Sequence, residues 1–162
     1  YADKVTIGTA KALLVDSRYS KLYVEKVGSF VTESKYDHIE IANLNNFVAE
    51  GGFTGFELGN ITGKLDITTG YGSIKVENIA SGFEDVNIES KYCKIKLQFE
   101  EQASYLLNVE TSYAPINFDE DNAEIIQRIY ESSRKTIEAR VGESNSESKV
   151  KIKANYGSVI VN

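Results

Sequence analysis

The sequence predicts an all-β fold: one domain, a β-solenoid (parallel β-helix, right-handed) of about eight coils with two short strands per coil. Three observations predict it. An aromatic anchor recurs at nearly constant spacing, period-two apolar alternation follows each anchor, and a small residue stands two positions before it.

The anchors are Tyr19, Tyr36, Phe53, Tyr71, Tyr92, Tyr113, Arg134 and Tyr156, a spacing that drifts only slowly along the chain. The domain is therefore read as positions 1–162, with 1–10 an N-terminal strand or cap and 11–162 the repeats, each of about 17–22 residues. At the third and fifth positions after each anchor stand apolar pairs, such as Leu22 and Val24, Ile39 and Ile41, Ile95 and Leu97, Ile137 and Ala139, and Val159 and Val161. Polar residues such as Glu40, Lys75 and Lys96 lie between them, which is the pattern of a strand with one buried face. A second alternating segment precedes the anchor, as in Leu65 and Ile67 or Val86 and Ile88. Each unit thus holds two strands joined at the aromatic corner.

A sandwich or meander of hairpins would give the same local alternation, and it is the competing reading. The corner lacks the Asn-Gly or Asp-Gly signature of a two-residue hairpin. So short a unit also has no room for a helical crossover, which favours stacked parallel coils. Equivalent residues then lie about 4.8 Å apart, giving a rod roughly 35–40 Å long.

The small row reads Ser17, Ser34, Gly51, Thr69, Ser90, Thr111, Ser132 and Ala154. A chain turning inside a narrow coil leaves no room there for a large side chain. Asn43, Asn60 and Asn78 share a register near the second corner, where asparagine suits turns and can ladder between coils.

Two rows are candidates for interaction. The aromatic row (Tyr19, Tyr36, Phe53, Tyr71, Tyr92, Tyr113, Tyr156) is either a strip for sugars or protein partners or a stacked corner ladder. The acidic row (Asp16, Glu33, Glu50, Glu89, Glu110, Glu131) is broken by Thr68 and Lys153. It reads as weak divalent-cation binding or as a solvated face, relieved by Arg18, Lys35 and Lys91. No calcium-loop spacing is present, and no metal site or cofactor is expected. Cys93 and His38 lack the activating neighbours that a nucleophile or base needs.

The net charge of −6 disfavours nucleic acid as a partner, and no apolar run is long enough to span a membrane. One cysteine excludes an internal disulfide. A start at Tyr1 suggests a processed or trimmed chain. Segment 119–131 is expected to be an irregular extended coil, and 142–148 a polar loop. The strand Val159–Val161 is expected to end the rod. At least one end should then be covered by a loop, another protomer or a further domain, because bare edges recruit strands. Arg134 and 119–131 are expected to lie too far inside to provide that cover.

The unit Tyr-Gly-Ser-Ile-x-Val-x-Asn of 71–78, with its variant at 156–162, resembles a bacterial adhesin family of repeat-built β-solenoid domains. The likeness runs from about Lys11 to Asn162, while the first two units depart from the consensus. It implies a non-enzymatic interaction module on an exported or envelope-anchored protein, extracellular, periplasmic or outer-membrane-anchored. The partner would be a protein or glycan at the cell surface, with end-to-end or edge self-association as a further outcome. A structural spacer or envelope-sensing domain is the alternative, and a carbohydrate-active β-helix enzyme is the third class. No catalytic residue is carried over.

Overall fold

The computed structural model describes residues 4–162, all of whose regular structure is β. Twelve strands form one sheet wound into a solenoid of about five turns. The first three strands each bend through a whole coil: β1 (Val5–Arg18), β2 (Lys21–Lys35) and β3 (His38–Gly52). Later coils break at the second corner, giving β4 (Thr54–Ile61), β5 (Lys64–Thr69), β6 (Gly72–Ile79) and β7 (Asp85–Phe99). Two short strands per coil is thus right only for the later units. In the short N-terminal units the bend is tight enough to keep pairing continuous.

These strands stack in parallel with inward residues in register. Leu22, Ile39, Phe56, Ile74 and Ile95 form one buried row, each paired with the next. Each fully buried Leu, Ile or Phe contributes about 1.5–3 kcal/mol, so a row this long is a principal source of stability. Gly51 shows how closely the corner is packed. A Cβ there would lie 3.1 Å from the Phe56 ring, so the large residue at 56 requires the small one at 51.

The anchors turn the corner in the left-handed region. Tyr19, Tyr36, Phe53, Tyr92, Tyr113 and Tyr156 have φ of 50–59°. Such a backbone costs a side-chain-bearing residue on the order of 1 kcal/mol, and persists when surrounding contacts over-determine it. Here the contact is the ring stack described below. At the Tyr71 corner the positive φ falls instead on Gly72, at 135°.

The C-terminal third corrects the expected order of coils. Chain order and stacking order part company after β7. The remaining strands are β8 (Tyr105–Ser112), β9 (Ile116–Phe118), β10 (Ala123–Glu131), β11 (Arg134–Val141) and β12 (Lys149–Val161). The last strand, β12, runs parallel between β7 on one side and β8 and β9 on the other. Val159–Val161 therefore does not end the rod, and Val159 and Val161 are fully buried within it. The eight expected coils become about five turns, this inserted rung among them.

The charge pattern of β12 is compatible with this strand order. Its outward residues Lys149 and Lys153 lie opposite Asp85 and Glu89 of β7, and Lys153 also opposes Glu110 of β8. Opposite charges across paired strands stabilise by about 0.2–1 kcal/mol, whereas Glu110 set directly beside Glu89 would repel.

The expectations for 119–131 and for the unit at Arg134 change as well. Segment 123–131 is a strand with a register shift between Ile125 and Gln127, and β10 and β11 form an antiparallel hairpin whose inner strand pairs antiparallel with β8. Arg134 is not a coil anchor; it starts β11, opposite Ser112 and Glu131. This hairpin, expected to lie too far inside to cover an end, is what covers the far end of this arm. Ile137 and Ala139 still enter the core, over Val109 and Leu107, because alternation fixes the buried face but not the strand direction.

Candidate functional site

The aromatic row forms one stack in the order Tyr19, Tyr36, Phe53, Tyr71, Tyr92, Tyr156, Tyr113. Successive centroids are 4.6–5.1 Å apart, and the rings lie within 8° of parallel. That distance matches the strand spacing, so the pitch of the coil sets the stack. The rings are roughly half exposed, yet within the stack their faces lie against each other. What solvent meets is a line of ring edges and phenol hydroxyls. A sugar that stacks on a ring needs an open face, so this ladder can offer hydroxyl contacts along its edge but no aromatic platform between its members.

The acidic row is shorter and more interrupted than its sequence suggests. Asp16, Glu33 and Glu50 are neighbours, followed by Thr68, Glu89, Lys153 and Glu110. Glu131 leaves the row, since it lies in the hairpin. Lys153, expected at its end, sits between two glutamates. Beside Asp16, Glu33 and Glu50 runs a shallow groove of about 230 Å³ shared with Arg18 and Lys35. Among the described residues, no group of three or more His, Cys, Asp or Glu side chains is placed to hold a metal ion.

Two polar networks secure the corners. Asn78 Nδ2 donates to Asn60 Oδ1 at 3.2 Å, and Asn60 Nδ2 donates to Asn43 Oδ1 at 2.9 Å, which is the ladder the shared register predicts. Asp37, which belongs to none of the repeated rows, is buried. Its carboxylate accepts from Ser17 Oγ (2.8 Å), Ser34 Oγ (2.7 Å), Ser20 N (2.7 Å) and Lys35 N (3.1 Å), tying neighbouring coils together. These donors use up its acceptor sites, so it is a structural clamp rather than a free base. Its signal in the sequence is weak: an acid just after an anchor, with two serines in the small row.

Cys93, just after the Tyr92 anchor, is buried, with its thiol donating to the Lys91 carbonyl at 3.1 Å. Burial pushes its pKa up to about 11, so at neutral pH it is a protonated thiol rather than a nucleophile. His38 remains partly exposed, 3.8 Å from Glu57.

A feature that sequence reasoning missed lies at the second corner. Three loops, 80–84, 100–104 and 142–148, converge there although they are far apart in the chain. With Asn122 of the turn before β10 they enclose an open polar crevice of about 760 Å³, lined by residues including Ser81, Glu101, Gln102, Glu143 and Asn145. Ser104 holds its wall: its hydroxyl accepts from Glu143 N at 2.9 Å, and its carbonyl accepts from the Ser146 hydroxyl. Ser148 anchors the loop base by donating to the Phe83 carbonyl. The shorter N-terminal coils have no such insertions. The lengthening of the later repeats was the visible signal, but the joining of three loops was not. The crevice offers carboxylates, amides, hydroxyls and backbone groups to a neutral polar ligand, and its walls carry no aromatic ring.

The chain matches no family model, no curated protein and no solved structure. No helix among the described residues is long and apolar enough to cross a membrane.

Proposed function

We propose that this domain is a non-enzymatic interaction module of the cell surface or envelope, an adhesin-type rod that presents a polar site to a glycan or protein. The observation that carries the reading is the loop crevice. Three separate insertions meet at one corner and form a wide concavity. Loops held by a rigid scaffold are where binding residues concentrate. Amides, hydroxyls and carboxylates in a shallow wall suit the hydroxyl groups of a sugar or the backbone of a peptide. The non-enzymatic part is supported by the acidic row, where Asp16, Glu33 and Glu50 stand side by side along one face.

A glycan array and a whole-cell binding assay test this. Binding should be saturable and should weaken at least about ten-fold in Glu101→Lys/Asn145→Lys, a loss of about 1.4 kcal/mol. Thermal stability should stay within about 0.5 kcal/mol, as for other exposed substitutions. Wild-type protein that binds nothing, or binding untouched by the double substitution, would remove the crevice from the account. The ring ladder favours one second reading, a structural spacer, because its ring faces are spent on internal stacking. A spacer would give a blank array.

A further inference from the structure

We infer that the ring ladder is a one-electron relay. An electron vacancy, or hole, placed on Tyr113 by an external one-electron oxidant (a ferryl haem or an inorganic radical) passes through Tyr156 and Tyr92 to Tyr71, and Phe53 ends the path. This activity uses different residues from the crevice and stands independently of it.

Composition restricts where a hole can rest. The chain has no tryptophan and no methionine, so tyrosine is its main oxidisable side chain. The one cysteine, Cys93, is buried, with its thiol donating to the Lys91 carbonyl. Six of the ten tyrosines stand in the ladder. Outside it, Tyr105 packs on Phe83 and Phe99, and Tyr130 lies beneath Lys135.

Geometry supplies the path. Tyr113, Tyr156, Tyr92 and Tyr71 are consecutive, with centroids 5.1, 4.8 and 4.9 Å apart and planes within 5° of parallel. Facing π clouds at that separation overlap, so an electron can tunnel directly from one ring to the next. Strand pairing sets the spacing, and the left-handed corners at Tyr92, Tyr113 and Tyr156 hold the rings before any hop begins.

Each hop also balances in protons. A phenol is protonated at neutral pH, and losing an electron makes it a strong acid. The oxidant takes one electron from Tyr113, whose hydroxyl proton passes to water and leaves a neutral phenoxyl radical. Tyr156 then gives that radical one electron and gives its own proton to water. Tyr113 takes a proton back from water and is a phenol again. The net change is one hole moved by one rung, with the oxidant reduced by one electron. Water reaches every member, because Tyr71, Tyr92, Tyr113 and Tyr156 are 42–64% exposed.

Phe53 interrupts the hydroxyls but not the stack. It lies 4.6 Å from Tyr71 and 4.9 Å from Tyr36, as close as any other pair. A benzene ring has no phenolic proton to release and holds its electrons far more tightly. Tyr36 and Tyr19 are therefore insulated from the other four tyrosines although the rings are continuous.

Pulse radiolysis of the whole chain tests this. Tyr113→Trp introduces an indole into a chain that has none, and azide radical oxidises indole in preference to phenol. Tyr71→3-aminotyrosine supplies a trap whose radical has its own absorption band. That radical should appear as the indolyl radical decays, in a phase independent of protein concentration. Tyr92→Phe keeps the ring and should slow the phase at least about ten-fold. With the trap moved to Tyr36, transfer should be at least about ten-fold slower than to Tyr71, and Phe53→Tyr should restore most of it. Circular dichroism would verify folding. Should Tyr113→Trp misfold, azide oxidation of the tyrosines themselves feeds the same trap, and both phenylalanine–tyrosine exchanges are scored in the same way. A trap at Tyr71 that never fills in this phase overturns the proposal. So does filling indifferent to Tyr92→Phe, filling at Tyr36 as fast as at Tyr71, or a block at Phe53 that Phe53→Tyr does not relieve, since each means that the hole does not travel ring to ring.

Discussion

The two ends of this rod solve the same problem by different means. At the N-terminal end, short coils stack in chain order, every inward residue lies over its equivalent, and among the described residues β1 pairs only with β2. At the other end the chain skips a rung, closes with an antiparallel hairpin, and returns to fill the rung with its final strand. The difference teaches that a repeat defines the environment of each rung but not who occupies it. β12 meets the same requirements as any coil: an inward apolar row, a small corner residue (Ala154) and a stacking ring (Tyr156). It enters out of order, and there Lys153 separates Glu89 from Glu110, which as direct neighbours would repel.

The sharpest way to break this comparison is Val159→Asp. At a bare terminal strand such a change would cost little. In an inserted strand it places a carboxylate in the core, an effective cost of several kcal/mol that should abolish cooperative folding. Chemical denaturation followed by circular dichroism would show it. A folded variant with near-wild-type midpoint would mean that this part of β12 does not sit between β7 and β9.

A smaller effect is expected at Gly157, where β12 crosses the corner. Its φ is +116°, and a Cβ would stand 2.0 Å from the Cys93 carbonyl oxygen. Gly157→Ala should therefore destabilise by about 2–4 kcal/mol, combining backbone strain with overpacking. Gly70, beside the Tyr71 corner, has nothing within 4 Å of its would-be Cβ, and Gly70→Ala should change stability by less than about 0.5 kcal/mol. Equal melting temperatures for the two variants would contradict the tight seating of β12 on β7.

The smallest effect concerns pH. The Cys93 thiol, beside Gly157 in the stack, has its pKa raised by burial from 9.0 to about 11. The unfolded chain releases this proton first, so stability is complete below pH 9 and declines as pH rises through the window from 9 to about 11. Tyr105, raised by burial and then by the nearby Asp119 charge, adds a loss of the same sign at higher pH. Thermal melts across this range should fall, and Cys93→Ala should flatten the decline. A wild-type curve that is level to pH 11 would show the thiol to be solvated.

Much of the corner chemistry was legible in the residues. The small row, the asparagine ladder and the stacking of Tyr19 through Tyr92 all follow from equal spacing, since equivalent residues of parallel coils must lie one strand apart. What the anchors did not reveal was their left-handed backbone, because aromatic residues carry no local preference for it. Asp37 and the loop crevice also escaped. Each is assembled from pieces of several coils, and no one piece is unusual alone.

By itself, then, the sequence determined the all-β solenoid class, which side of each strand faces inward, and the seven aromatic residues that turn the corners, though not Arg134. Alternation and spacing are local properties, and hydrophobic burial acts on them wherever the strand lies. Only the tertiary structure decided direction and order. It reversed 134–141 relative to its expected sense, seated 149–161 between strands it does not follow in the chain, and reduced eight apparent coils to about five turns. The physical reason is that a two-residue period looks identical read in either direction. Strand neighbours are chosen instead by non-local terms: the charges of Lys149 and Lys153 against Asp85, Glu89 and Glu110, the fit of Gly157 on Cys93, and the closing of an edge that a further parallel coil would have left bare.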